Sequence, residues 1–160
     1  GISLMKVKKV VLAMLPVVAL AAIILVPALS NAQNFGSVSL ATGFMPDPRM
    51  LSGTSGGGMS AQSMGGSCRG WVTPQPDHFM FLNTPMGWLR VFVRSGGDTT
   101  LIVRGPMPSM MTRCNDDRFG FNPAIDGSWA PGQYHVWVGS YASGQMHPYQ
   151  IGFTEIRSVH

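Results

Sequence analysis

Apolar and polar residues alternate along much of the second half of the chain, at the period of two that puts successive side chains on opposite faces of a strand. In GWLRVFVRSG (87–96), Leu89, Val91 and Val93 fall on one side, with Trp88, Arg90, Phe92 and Arg94 on the other. In QYHVWVGSY (133–141), Tyr134, Val136 and Val138 oppose His135 and Trp137. In HPYQIGFTEI (147–156), Tyr149, Ile151 and Phe153 align. DHFMFLNT (77–84), where Phe79 and Phe81 share a face, and DTTLIVRG (98–105), after a Gly-Gly turn, complete five short strands punctuated by Gly and Pro. Upstream, FGSVSLATGF (35–44) sets Val38 and Leu40 against Ser37, Ser39 and Ala41, which predicts a strand-forming N-terminal arm. Between arm and body, MPDPRMLSGTSGGGMSAQSMGGS (45–67) has no period and predicts a long loop. A loop of that length is uncommon inside a compact domain, so it is either functional or a tether that lets the arm reach elsewhere. No amphipathic helix is legible after residue 32. The pattern predicts an all-β protein, an antiparallel β-sandwich.

The first 32 residues follow a different rule. Met5 is followed by Lys6, Lys8 and Lys9, an apolar stretch from Val10 to Leu29, and Ser30-Asn31-Ala32. A basic start, an apolar middle and a small-x-Ala end predict a secretory signal peptide cleaved after Ala32, with Gly1–Leu4 upstream of the true start. The competing expectation is an uncleaved anchor, but Pro16 and Pro27 interrupt the apolar run. The expected division is therefore 1–32 leader, 33–67 arm and Gly/Ser/Met-rich linker, and 68–160 sandwich domain, in a secreted, extracellular or periplasmic protein with no membrane contact after cleavage.

Charge is reread accordingly. The formal net charge of +4 includes the three leader lysines; the remainder has eight Arg against seven Asp and Glu, a net charge near +1. Scattered arginines at that balance exclude the clustered cation excess that nucleic-acid binding needs. The two cysteines, Cys68 and Cys114, have no Cys or His within four residues. Export makes a disulfide the expected state. Closing 46 residues would contribute about 4 kcal/mol by loop entropy.

Oxygen-bearing side chains concentrate in RCNDDRFGFNPAIDG (113–127). Asn115, Asp116, Asp117, Asn122 and Asp126, with Asp98 from a neighbouring strand end, are candidate Ca²⁺ ligands, since that ion takes oxygens from carboxylates and amides. The spacing is not that of an EF-hand loop: Asp126 falls where its bidentate Glu stands. The alternative is turn chemistry, with Asn122-Pro123 and Asp126-Gly127 as turn dipeptides. Trp88, Phe92 and Trp137 lie opposite the core-facing positions and are a candidate binding patch for sugars or another subunit, unless the arm or the 45–67 segment covers them. Gly53-Thr54-Ser55-Gly56-Gly57 fits the G-x-S-x-G pattern, but no helix follows Ser55 and all four His (78, 135, 147, 160) come after it, so serine catalysis is not expected. The chain is expected not to be an enzyme.

The order SGGDTTLIVRGP (95–106), CNDD (114–117), PGQYHVWVGSY (131–141) and YQIGFTEI (149–156) resembles the bacterial pre-peptidase C-terminal domain over roughly residues 68–157. It also resembles small secreted proteins of Gram-negative bacteria. The resemblance implies a jelly-roll-like β-sandwich, usually an accessory to secreted proteases, with members that bind calcium or matrix polymers. Two functions follow as expectations. One is a secreted structural or adhesive protein that self-associates, its arm pairing within its own chain or adding to a neighbour's sheet in a fibre. The other is an accessory module for polysaccharide or extracellular matrix.

Overall fold

The computed structural model describes residues 33–160 together with the isolated positions 1, 13 and 16. The expected leader and its cleavage point after Ala32 lie outside the described residues. Eleven strands are found among the described residues: β1 (Ser37–Leu40), β2 (Arg49–Thr54), β3 (Met59–Ser60), β4 (Trp71–Val72), β5 (His78–Leu82), β6 (Met86–Ser95), β7 (Thr99–Arg104), β8 (Thr112–Asn115), β9 (Ala124–Trp129), β10 (Gly132–Ser140) and β11 (Pro148–Thr154). The only helical element among them is a 3₁₀ turn, Ala61–Ser63.

The strands form two sheets. One has the order β2-β11-β6-β9. In the other, β10 is central: β5 and β4 pair with it, as does β7, and β1, β3 and β8 lie at the margins. The all-β sandwich expected from the alternation is therefore present. Its pairing is antiparallel except at β1, which runs parallel to β5 with Ser37 opposite Phe79 and Leu40 opposite Leu82. The arm thus pairs within its own chain, the arrangement of a self-contained protomer.

The core follows the predicted faces. Leu89, Val91 and Val93 of β6 meet Tyr134, Val136 and Val138 of β10 across the interface, together with Tyr149, Ile151 and Phe153 of β11 and Val38 and Leu40 of the arm. Each such fully buried side chain contributes roughly 1.5–3 kcal/mol by leaving water.

The segment 45–67 is not the loose tether expected. It carries β2, which pairs with β11 from Arg49↔Phe153 to Thr54↔Pro148, and β3, which pairs with β4. Both sheets therefore draw strands from before residue 68, and no boundary falls there. β2 escapes the alternation rule because it is an edge strand held by backbone hydrogen bonds, with only Leu51 packed against the core. β8 and β9 also lie inside the stretch read from sequence as an acidic loop. All four β8 residues are half-buried, so no face stands out. β9 meets β6 across a register shift between Met86 and Leu89, which interrupts its period.

A small second core lies on the outer face of the β10-centred sheet. Ala61, Cys68, Val72, Ile102 and Trp137 are buried together, with Met59, Met64 and Cys114 packed against them. The disulfide Cys68–Cys114, with Cα atoms 5.3 Å apart, ties this layer to β8.

One polar cluster is buried between the sheets at the arm. His78 of β5 is fully buried; its Nδ1 lies 3.0 Å from the Gly36 carbonyl and its Nε2 2.8 Å from the Tyr149 hydroxyl. A carbonyl only accepts, so Nδ1 carries the proton and Nε2 accepts from Tyr149. Burial pulls the His78 pKa down to about 4. Next to it, the buried carboxylate of Asp77 accepts from Asn34 Nδ2 (2.9 Å) and Val138 N (2.8 Å). Burial outweighs those bonds and pushes Asp77 up to about 6. The signs oppose each other. His78, depressed, contributes stability above its ordinary pKa of 6.5 and loses it as pH falls towards 4. Asp77, raised above its ordinary 3.8, is most favourable at low pH and loses stability as pH rises through 6. Each contribution is about 3 kcal/mol. By urea denaturation between pH 6.5 and 4, Asp77→Asn should therefore lose about 3 kcal/mol more than the wild type, because the opposing Asp77 contribution is gone. Equal slopes in both proteins would refute this balance.

Candidate functional site

The ladder between β7 and β8 pairs Leu101 with Asn115. Followed past its end, that register carries Asp98, before β7, towards Asp116 and Asp117, after β8. One oxygen each from Asp98, Asp116 and Asp117 lies within 4.8 Å of the others. Asp98 is positioned by the Gly96-Gly97 turn. A Cβ on Gly97 would collide with the His147 ring, so only glycine lets the turn close. The Asp98 carbonyl accepts from Tyr141 N at 3.0 Å. Asp116 is two residues from Cys114, so the disulfide anchors the other half of the corner.

The electrostatics of the corner are unbalanced. Oδ1 of Asp98 and Oδ1 of Asp116 are sealed from solvent with no hydrogen-bond partner among the described residues. Burial raises the pKa of both, the Asp117 charge raises them further, and Arg69 draws Asp116 back only in part. Three carboxylates, two with an unpartnered oxygen, can accept a hard cation with a preference for oxygen.

The other three expected ligands are elsewhere. Asn115 Oδ1 accepts from Ala124 N (3.0 Å) and Asn122 Oδ1 from Ser95 N (3.1 Å). With the Phe119↔Asn122 bridge and Gly120 at φ +62°, they clasp the loop between β8 and β9 as turn residues. Asp126 lies on β9 and holds Arg90 through a bidentate pair, Nε–Oδ1 at 2.7 Å and Nη2–Oδ2 at 2.8 Å. That hydrogen-bonded pairing with Arg90 keeps the Asp126 pKa below the usual carboxylate range. Arg90 spends its Nη1 on the carbonyls of Arg157 (2.9 Å) and Val159 (2.8 Å). Sequence alone does not show this division because β9 has no legible period.

The aromatic patch is corrected too. Trp88 and Phe92 belong to β6 and Trp137 to β10, so they lie on different sheets. Phe92 is fully buried, its ring lying over Gly152, where any Cβ would collide with it. Trp137 is only 4% exposed, covered by the 59–72 layer. Trp88 lies between the guanidiniums of Arg90 (5.2 Å) and Arg157 (4.5 Å). Ser55, in the glycine-rich segment, is fully buried, with its hydroxyl 2.8 Å from that of Ser140 and accepting from the backbone N of His147.

Two concavities stand out among the described residues. The larger, about 580 Å³, lies beside β6 and β11 between Phe119 and Gln150. Part of its polar lining is spent inside the chain: Arg94 donates twice to the His160 carbonyl, Ser95 donates to Pro148 O, and Phe119 stacks on His160 at 3.9 Å. The smaller, about 270 Å³, is lined by Ser60, Gln62, Arg69, Gly70, Trp71 and Tyr141. Sequence reading singled out none of these six. Their signal was faint: CRGW follows a cysteine, and Tyr141 closes the β10 stretch at its polar end.

Fold and site together define a two-sheet β-sandwich with a carboxylate corner at the β7–β8 end. The chain is 34% identical over 108 residues to an uncharacterized protein of Synechococcus elongatus, spanning 65% of this chain and 73% of that one, and it belongs to the same family as that protein. No family model matches the chain. Among solved structures it is similar to the pre-peptidase C-terminal domain of a collagenase from Bacillus anthracis, at 12% identity and TM-score 0.47 over 74% of this chain and 94% of that one. It is also similar to PliG of Aeromonas hydrophila, a periplasmic inhibitor of g-type lysozyme, at 14% identity and TM-score 0.41 over 74% and 96%. Likenesses at these scores carry no argument about ligand or partner.

If Asp126 serves Arg90 and not a cation, Asp126→Asn should lower stability by about 3 kcal/mol equally in Ca²⁺ and in chelator, as expected for a broken, mostly buried pair. A loss confined to Ca²⁺-containing buffer would return Asp126 to the ligand set.

Proposed function

We propose that this chain is an exported, non-catalytic binding module, an accessory to polysaccharide or extracellular matrix, that holds one Ca²⁺ at Asp98, Asp116 and Asp117. The observation that carries the cation is the pair of solvent-sealed, unpartnered carboxylate oxygens in a corner of three carboxylates. Ca²⁺ fits better than Mg²⁺, because carboxylates converging from two separate loops suit its larger, irregular shell. Export is supported by the disulfide, a bond that persists in oxidising compartments. No helix among the described residues is long and apolar enough to cross a membrane. The non-catalytic reading is supported by Ser55, whose hydroxyl is buried and committed to Ser140 and His147 N. Growth of a fibre by arm donation is the less favoured reading, because β1 already pairs along β5 of its own chain.

The ion acts by stabilising a costly arrangement of like charge. Asp98 and Asp116 have raised pKa values, so without cation each contributes stability at low pH that is lost as pH rises through its folded value. Bound Ca²⁺ reverses that loss. At pH 7, Ca²⁺ at one hundred times its Kd should stabilise the wild type by about 2.7 kcal/mol, reversed by chelator. Asp116→Asn should abolish the Ca²⁺ response and, in chelator, melt above the wild type. Calorimetry showing no Ca²⁺ uptake, or an Asp116→Asn variant that responds like wild type, would overturn the proposal.

A further inference from the structure

We infer that the concavity beside the acidic corner, formed by Ser60, Gln62, Arg69, Gly70, Trp71 and Tyr141, binds one ring of a neutral saccharide. This rests on the accessory-module reading and gives it a site. The lining combines two aromatic side chains with an amide, a hydroxyl and a guanidinium. An apolar sugar face packs on aromatic rings, while the polar groups meet its hydroxyls. At about 270 Å³ the site suits a single ring, not a length of peptide.

Apart from Ser60, whose Oγ accepts from Gln62 N, the lining is also largely unspent. Tyr141 is 50% exposed, and its hydroxyl, the Gln62 amide and the Trp71 indole N–H have no hydrogen-bond partner among the described residues. Arg69 uses only Nη1, which donates to the carbonyls of Gly66 and Cys68 at 3.1 Å, leaving Nε and Nη2 for a ligand. The larger concavity offers less of this: Arg94 Nε and Nη2 are held by the His160 carbonyl and Ser95 Oγ by Pro148 O. The site is built, not incidental. Gly70 has φ +94°, and a Cβ there would fall 2.5 Å from Thr100 Oγ1 and 2.9 Å from Ser140 O. Glycine lets the chain press onto the β10-centred sheet, which brings Arg69 and Trp71 to one rim.

Charge selects the class of sugar. Tyr141 N donates to Asp98 O, so the carboxylates border the site, and Arg69 is already drawn electrostatically to Asp116. A ligand carrying its own carboxylate meets the negative charge that three carboxylates keep even against one divalent cation; a neutral polyol is not repelled.

The test is titration of ¹⁵N-labelled protein with neutral trisaccharides (cellotriose, maltotriose, xylotriose, galactotriose) and with trigalacturonate, each in Ca²⁺ and in chelator. At least one neutral trisaccharide should shift the Trp71 indole N–H and the amides of 60–62, 69–71 and 141. Tyr141→Ala should weaken that binding about tenfold while the remaining spectrum is retained, and trigalacturonate should bind more weakly. No shift with any neutral sugar, shifts centred on Phe92 and Arg94, tighter trigalacturonate binding, or wild-type affinity in Tyr141→Ala would each overturn the inference. Ca²⁺ uptake measured without sugar is read separately, so failure here is distinguishable from failure of the cation site.

Discussion

The Cys68–Cys114 bridge is the constraint on which the arrangement outside the main core depends. The sandwich interior is held by interleaved apolar faces and needs no staple. The layer from Met59 to Val72 is different. It buries only a handful of apolar side chains against Ile102 and Trp137, too few to hold a glycine-rich segment with little intrinsic order. Closing 46 residues restricts the unfolded chain by about 4 kcal/mol and fastens the layer to β8. That link helps hold the layer over Trp137 and keeps Arg69 near Asp116, while the pairing of Trp71 with Ser140 sets Trp71 beside Tyr141.

The two uses of carboxylate within one short stretch follow from the strands that carry them. Asp126, on β9, faces Arg90, and a planar guanidinium meets a carboxylate through two parallel bonds. Asp116 and Asp117, past the end of β8, have run out of ladder and face Asp98. The first arrangement is electrically complete and structural. The second carries surplus negative charge with oxygens turned away from water, the condition under which a site is available for a cation.

Much of the sandwich was legible in the sequence because β6, β10 and β11 each bury one face fully, so the period of two survives. Leu89, Val91 and Val93 lie where alternation put them. Apart from β1, where Val38 and Leu40 are buried, the edge and margin strands were not legible, because backbone hydrogen bonds to a neighbour leave little trace in side-chain order. β2, with serine and glycine at 52–53, is the example. Of the six oxygen ligands expected, Asp98, Asp116 and Asp117 converge, and the rest were separated by a strand that no periodicity announced. The aromatics opposite the core face do lie on outer faces, but Phe92 and Trp137 are covered there. What covers Trp137 is a tertiary layer tied down by a distant cysteine, and what allows Phe92 to lie flat is Gly152 on the adjacent strand.

A hard cation at the carboxylate corner, as proposed, would offset the surplus negative charge at this end of the sandwich. The most direct measurement is anomalous diffraction from crystals grown with Tb³⁺ in place of Ca²⁺. The account predicts one strong peak within about 2.3–2.6 Å of carboxylate oxygens from Asp98, Asp116 and Asp117. Absence of a peak there, or a peak beside Asp126 instead, would contradict it.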